Sequence, residues 1–164
     1  MTTLKLSHLD AKGEARMVDV STKLITEREA AASCQVRMKP ETFQLLKQGL
    51  LKKGDAFMLA KVAGVFAAKR TADLIPLCHS LPVEMIQLNF SELQNKEGYY
   101  IESRVMAHAK TGVEMEALTA VTIAALTIYD MAKSHDPGIR ITDVHLVWKK
   151  GGKSGTSGWD NHSQ

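Results

Sequence analysis

Residues 69–79 place two cations, a carboxylate, a thiol and an imidazole around one proline. The cations are Lys69 and Arg70, the carboxylate is Asp73, and Cys78 and His79 supply the thiol and the imidazole. The residues between them are mostly apolar, so the pattern predicts a partly buried segment whose side chains point into a cavity. A plainer alternative is a loop in which Arg70 pairs with Asp73 while Cys78 packs as a small hydrophobe.

A second segment, residues 110–133, has an apolar centre and ionisable groups at both ends. No charged residue occurs from position 117 to position 129, and a helix that is uncharged on every side is a buried helix. Because the stretch is shorter than the roughly 20 residues that cross a bilayer, it is expected in the protein core. Carboxylates then lie in its first turn and Lys133 in its last turn, as the helix dipole favours.

Asp130 and Lys133 have the i, i+3 spacing at which helical side chains touch. A lysine beside a carboxylate is a candidate proton-transfer pair, and an ordinary helix-end salt bridge has the same spacing. Glu116 precedes Asp130 by 14 positions. This spacing puts the two carboxylates within about 40° of each other around the helix but roughly 21 Å apart along it, so they cannot form one dyad.

Composition bounds the class of protein. With 164 residues, of which 45% are hydrophobic, the chain can form one domain with a real core. A net charge of +3 and 5% aromatic residues favour a small anionic ligand over nucleic acid. Two cysteines without a signal-peptide pattern predict a cytoplasmic protein with no disulfide. The six histidines lack zinc-site spacing, so no metal site is expected.

The sequence divides into an extended N-terminal arm (residues 1–28), one α+β domain (29–149) and a flexible Gly/Lys-containing tail (150–164). Within the domain it predicts a strand at 31–38, a helix from Pro40 to Gly49, and a second helix capped by Asp55. A hairpin after Pro82, the long apolar helix and a strand at 139–148 follow. The order β-α-α-β-β-α-β predicts an antiparallel sheet with helices packed on one face.

Four segments together resemble the cyclic pyranopterin monophosphate synthase family of molybdenum cofactor biosynthesis: GEARMVDVS at 13–21, and residues 68–81, 111–133 and 151–155. The similarity extends over about residues 7–155. It implies a ferredoxin-like α+β subunit in a homo-oligomer, a hexamer built as a trimer of dimers, with active sites between subunits. It also implies a lyase that converts 3′,8-cyclo-7,8-dihydroguanosine 5′-triphosphate to cyclic pyranopterin monophosphate and pyrophosphate. No redox cofactor is implied, and the need for Mg²⁺ is left open.

By position, the resemblance assigns catalysis to Asp130, Lys53 and Lys133. It assigns substrate contacts to Leu77, Cys78, His79, Glu114, Met115 and Glu116. Candidate cations for the leaving pyrophosphate are Lys69, Arg70, Lys149 and Lys153. Crowding by other cations and desolvation lower the pKa of a lysine, so Lys53 and Lys133 are expected to move protons near neutral pH.

The sequence departs from the family pattern at two places. Ser80 follows the Cys-His pair where the family usually has proline, and a proline appears later, at Pro82. Arg16 stands where histidine is common, so it receives no catalytic role.

An alternative function is a small-anion-binding or interaction module without catalysis. A nucleic-acid binder fits less well because the chain lacks a dense basic patch.

Overall fold

The computed structural model describes residues 13–152 and 155–159. The elements in chain order are β1 (Thr26–Arg37), α1 (Pro40–Lys47), α2 (Ala56–Lys69), α3 (Thr71–Leu74), β2 (Met85–Glu92), β3 (Gly98–Ala109), α4 (Glu114–Ala132), β4 (Arg140–Lys150) and β5 (Ser157–Gly158). The predicted order is present with two additions, α3 and β5. The short β5 lies within the segment that the sequence assigns to the tail, and it pairs with β4.

The strands form one antiparallel sheet in the order β2-β3-β1-β4-β5. β3 inserts between β1 and β2, which is the split arrangement of a ferredoxin-like fold. α4 packs against β1, β3 and β4, and α2 packs against α4 and β2. The predicted α+β class, with an antiparallel sheet and helices on one face, is confirmed.

β1 begins at Thr26, five positions before the strand that the sequence predicts. The extra residues include charged side chains with little preference for strands, such as Glu27 and Glu29. They are held in the sheet because β1 pairs with β3 on one edge and with β4 on the other. Tertiary pairing therefore overrides local propensity in this strand.

α2 and α4 approach each other closely at Gly64. A Cβ atom at this position would lie 2.6 Å from Leu88 Cδ1 and 2.9 Å from the carbonyl oxygen of Ala120. A Cβ atom does not approach non-bonded heavy atoms this closely, so glycine is required for this packing. The contact fixes α4, and with it the ionisable groups at its two ends, against the rest of the domain.

The expectation that α4 is buried on every side is wrong for the single chain. Thr122 is exposed, and Leu126 is 51% exposed on the same outer side of the helix. By length and composition α4 could cross a membrane, but half of its most apolar stretch is buried within the fold. Its packing against three strands and α2 is that of a core helix with one uncovered side.

Candidate functional site

Helix α4 divides the candidate residues into two groups, one at each of its ends. The C-terminal cluster consists of Lys53, Asp130 and Lys133. The N-terminal cluster consists of Cys78, His79, Glu114, Glu116 and Lys149. With a rise of about 1.5 Å per residue, Glu116 and Asp130 stand about 21 Å apart along the helix. Within a single chain the two clusters are therefore too far apart to act on the same atom.

The C-terminal cluster is held together by both lysines. Lys133 Nζ lies 2.7 Å from Asp130 Oδ1. Lys53 Nζ donates to the carbonyl oxygen of Asp130 at 2.8 Å and lies 3.5 Å from its Oδ2. Lys53 reaches this point from the turn between α1 and α2, where Gly54 adopts a positive φ of 100°. The fold thus brings together three candidates, of which Lys53 is 77 positions from Asp130.

Charge pairing sets the protonation states of this cluster. The hydrogen bond from Lys133, together with the positive charges of Lys133 and Lys53, lowers the pKa of Asp130. The same hydrogen bond raises the pKa of Lys133. The expectation of a lowered pKa for Lys133 is therefore wrong in the single chain. Its side chain is half exposed and its nearest charged neighbour is an anion, so desolvation is outweighed. The helix-end salt bridge considered from the sequence is present.

In the N-terminal cluster, Glu116 is the buried carboxylate. Its side chain is 4% exposed, and this burial is the main reason that its pKa is raised to about 7. The negative charge of Glu114 also raises the pKa of Glu116, whereas a hydrogen bond from the backbone N–H of Glu116 lowers it. Burial, followed by the charge of Glu116, also raises the pKa of the half-buried Cys78 thiol. A raised pKa disfavours the thiolate, which argues against Cys78 as a nucleophile. Glu116 has the near-neutral pKa that the sequence argument assigned to lysines.

The segment 13–25 crosses to this cluster and fixes His79. Nε2 of His79 lies 2.8 Å from the carbonyl oxygen of Val18. A carbonyl oxygen only accepts, so Nε2 carries a proton and donates it in this hydrogen bond. Lys110 Nζ donates to the carbonyl oxygen of Ser21 at 2.7 Å, which holds the same segment at a second point. The arm is therefore part of the wall around His79.

Lys149 connects β4 to the start of α4. Its Nζ lies 2.9 Å from Glu114 Oε1 and 5.8 Å from the ring centroid of Trp159, a residue that the sequence argument had left in the tail. Arg28 is a cation of this region that the sequence did not indicate as a candidate. Its guanidinium donates to the carbonyl oxygens of Ala109 at 3.3 Å and Lys110 at 3.4 Å. No local pattern marks Arg28, because the contact arises from the pairing of β1 with β3. Both cations lie where the tail returns to the N-terminal end of α4.

The remaining candidates take less specific positions. Leu77 and Met115 are half-buried, and Lys69 and Arg70 are exposed at the end of α2. In the described part of the chain, Arg70 and Asp73 form no salt bridge with each other, so the pairing considered as a plainer alternative is not observed. Lys153 lies outside the described residues. Among residues 13–152 and 155–159, no three His, Cys, Asp or Glu residues are grouped as metal ligands.

Comparison with known proteins gives one consistent match. The chain matches the model of the MoaC family over residues 17–152. It is 52% identical over 150 residues to the cyclic pyranopterin monophosphate synthase of Dinoroseobacter shibae, covering 92% of this chain and 95% of the relative. It is 53% identical over 150 residues to the protein of that name from Trichodesmium erythraeum, covering 92% of this chain and 90% of the relative. It is 50% identical over 155 residues to the one from Parvibaculum lavamentivorans, covering 94% of this chain and 97% of the relative. The matched range includes every residue of both clusters.

Proposed function

The chain belongs to the MoaC family, and we propose that its two clusters together form the active site of the family's reaction. The protein is a lyase that converts 3′,8-cyclo-7,8-dihydroguanosine 5′-triphosphate to cyclic pyranopterin monophosphate with release of pyrophosphate, in molybdenum cofactor biosynthesis. The observation that carries this conclusion is identity of about half the residues over more than nine-tenths of the chain. A binding module without catalysis is not favoured by any contact in the structure.

The reaction makes two demands on the protein. Opening and reclosing the purine ring to build the pterin requires a group that accepts and returns protons near neutral pH. Closure of the cyclic phosphate requires that an internal hydroxyl attack the α-phosphorus while the bond to the bridging oxygen of pyrophosphate breaks. Positive charge must then stabilise the leaving group. Neither step changes oxidation state, so we propose that no redox cofactor takes part.

We assign the proton-transfer role at one half-site to Glu116, because its carboxyl has a pKa of about 7 and is shielded from water. At the other half-site, Asp130 is an ionised carboxylate that orients the ammonium groups of Lys53 and Lys133. Those ammonium groups can donate protons or neutralise developing charge. Lys149, Lys69 and Arg70 are proposed to bind phosphate oxygens as fixed positive charges.

Two half-sites about 21 Å apart on one helix cannot act on the same bonds, so we propose that each active site joins clusters from two subunits. The outer side of the helix layer supports association. Four apolar side chains of α2 are 43–59% exposed: Met58, Leu59, Val62 and Phe66. Leu126 of α4 is 51% exposed as well, and large exposed apolar patches mark interaction surfaces. We propose a hexamer, a trimer of dimers, located in the cytoplasm.

The deciding experiment supplies the cyclo-dihydro nucleotide and measures pyrophosphate and pterin. Wild-type protein should form both products, and plain GTP should give neither. Asp130→Asn should lower turnover by about 10²- to 10⁴-fold, because it removes the charge that orients both lysines. Asp143→Asn is the matched control, since this exposed aspartate lies on β4 outside both clusters. Absence of product with the wild type refutes the function, whereas near-normal turnover of Asp130→Asn refutes only the catalytic assignment.

Exchanging the lysines separates two roles within the C-terminal cluster. Arginine keeps the positive charge but does not release a proton near neutral pH. Lys53→Arg and Lys133→Arg should therefore lose most turnover if each ammonium transfers a proton. Full activity in either variant reduces that lysine to a counter-charge, and Lys61→Arg, on the exposed side of α2, controls for the exchange itself.

A further inference from the structure

A cavity of about 200 Å³ lies outside both clusters, at the edge where β1 ends and β4 begins. Three cationic side chains line it, those of Arg37, Lys39 and Arg140. Two carboxylates, Glu97 and Asp136, complete the charged part of its wall. None of these five residues has a role in the proposed reaction.

The three cations are not neutralised within the fold. Arg37 and Arg140 are direct partners in the β1–β4 register, an arrangement of like charges that destabilises a sheet. Arg37 Nη2 donates to the neutral Gln35 Oε1 at 2.7 Å. In the described part of the chain, Arg37, Lys39 and Arg140 form no salt bridge. An outside anion could therefore pair directly with cations that have no salt-bridge partner in the described part of the chain.

The two carboxylates in the wall are engaged elsewhere. Asp136, which is 1% exposed, accepts the backbone N–H of Lys39 at 2.9 Å and that of Gly138 at 3.0 Å. Its role is to fasten the loop after α4 to the end of β1, which shapes the cavity. Glu97 Oε2 accepts from Asn95 Nδ2 at 2.7 Å. Neither carboxylate pairs with a cation of the cavity.

We propose that this cavity is a binding site for a small phosphate-type oxyanion, either inorganic phosphate or pyrophosphate. Arg37 and Arg140 are neighbours across the β1–β4 ladder and both line the cavity. A guanidinium group has planar donor pairs that match phosphate oxygens, and Lys39 adds a point charge. A space of 200 Å³ equals about six to seven waters at about 30 Å³ each, which accommodates such an anion. None of the residues that line the cavity belongs to either cluster, and the proposal does not depend on the reaction.

The test is a calorimetric titration of the full-length protein with orthophosphate and, separately, with pyrophosphate at constant ionic strength. The N-terminal cluster also contains a cation aimed at phosphates, so each titration is repeated in Lys149→Gln. Arg140→Gln should weaken binding at the cavity by at least about tenfold in both backgrounds, because it removes charge-assisted hydrogen bonds. Lys61→Gln, which removes an exposed charge of α2 that does not line the cavity, should leave the affinity for the anion unchanged. Whichever anion binds more tightly identifies the ligand.

Several outcomes overturn the proposal. Unchanged affinity in Arg140→Gln, or equal weakening in Lys61→Gln, would mean that general surface charge is responsible. Loss of turnover in Arg140→Gln together with loss of anion binding would place the cavity in the reaction site instead. Lys39→Gln supplies an independent exposed variant if Arg140→Gln does not fold, with the same expected loss. Normal turnover with lost anion binding supports a separate site.

Discussion

Glu116→Gln tests the buried carboxylate at the N-terminal end of α4. In the folded protein, burial raises the pKa of Glu116 from its usual 4.5 to about 7. Below the lower value both folded and unfolded chains are protonated, and the folded state keeps its full stability. Between the two values the unfolded chain loses the proton first, so the folded state binds more protons and stability falls as pH rises. Above the higher value the loss is complete.

The size of this loss follows from the two pKa values. The gap corresponds to about 3 kcal/mol, since each pKa step is worth about 1.36 kcal/mol. Glutamine has nearly the same shape and no charge to bury. We therefore expect Glu116→Gln to match the wild type near pH 4.5 and to exceed its unfolding free energy by up to about 3 kcal/mol at pH 8. In a chain of this size, that difference raises Tm by about 6–12 °C.

The measurement is urea unfolding of both proteins from pH 4.5 to pH 8 at one protein concentration, because association shifts apparent stability. Glu92→Gln is the control: its exposed salt bridge with Lys47, at 2.8 Å, contributes at most about 1 kcal/mol. It should show no gain with rising pH. A stability difference for Glu116→Gln that stays flat across the pH range would refute burial as the cause of the raised pKa.

Three further predictions test packing, capping and assembly. Gly64→Ala should lower the unfolding free energy by about 1–3 kcal/mol in urea, because its Cβ would lie 2.6 Å from Leu88; no change would mean that α2 and α4 separate at no cost. Asp55→Ala should cost about 1 kcal/mol, since its carboxylate accepts two N–H groups at 3.0 Å, whereas Asp55→Asn should cost less. Mixing inactive His79→Ala and Asp130→Asn proteins should restore activity in hybrid oligomers; confirmed hybrids that stay inactive would place each site within one chain.

The sequence by itself determined the features that depend on neighbouring residues. The uncharged run of α4, the cap at Asp55 and the hairpin after Pro82 follow from periodicity, capping and turn chemistry within a few positions. The contact between Asp130 and Lys133 follows from the i, i+3 geometry of one helix. The order of these elements was enough to predict the sheet with helices on one face.

Only the tertiary structure decided which groups meet across the chain and how their protons are held. The approach of Lys53 to Asp130 joins segments 77 positions apart, and no local pattern marked the contact of Arg28 with β3. The near-neutral pKa falls on Glu116, and the pKa of Lys133 is raised instead of lowered. Both results depend on which side chains the fold covers and which it leaves in water. Desolvation and charge pairing are properties of the packed molecule, and the spacing of residues does not encode them.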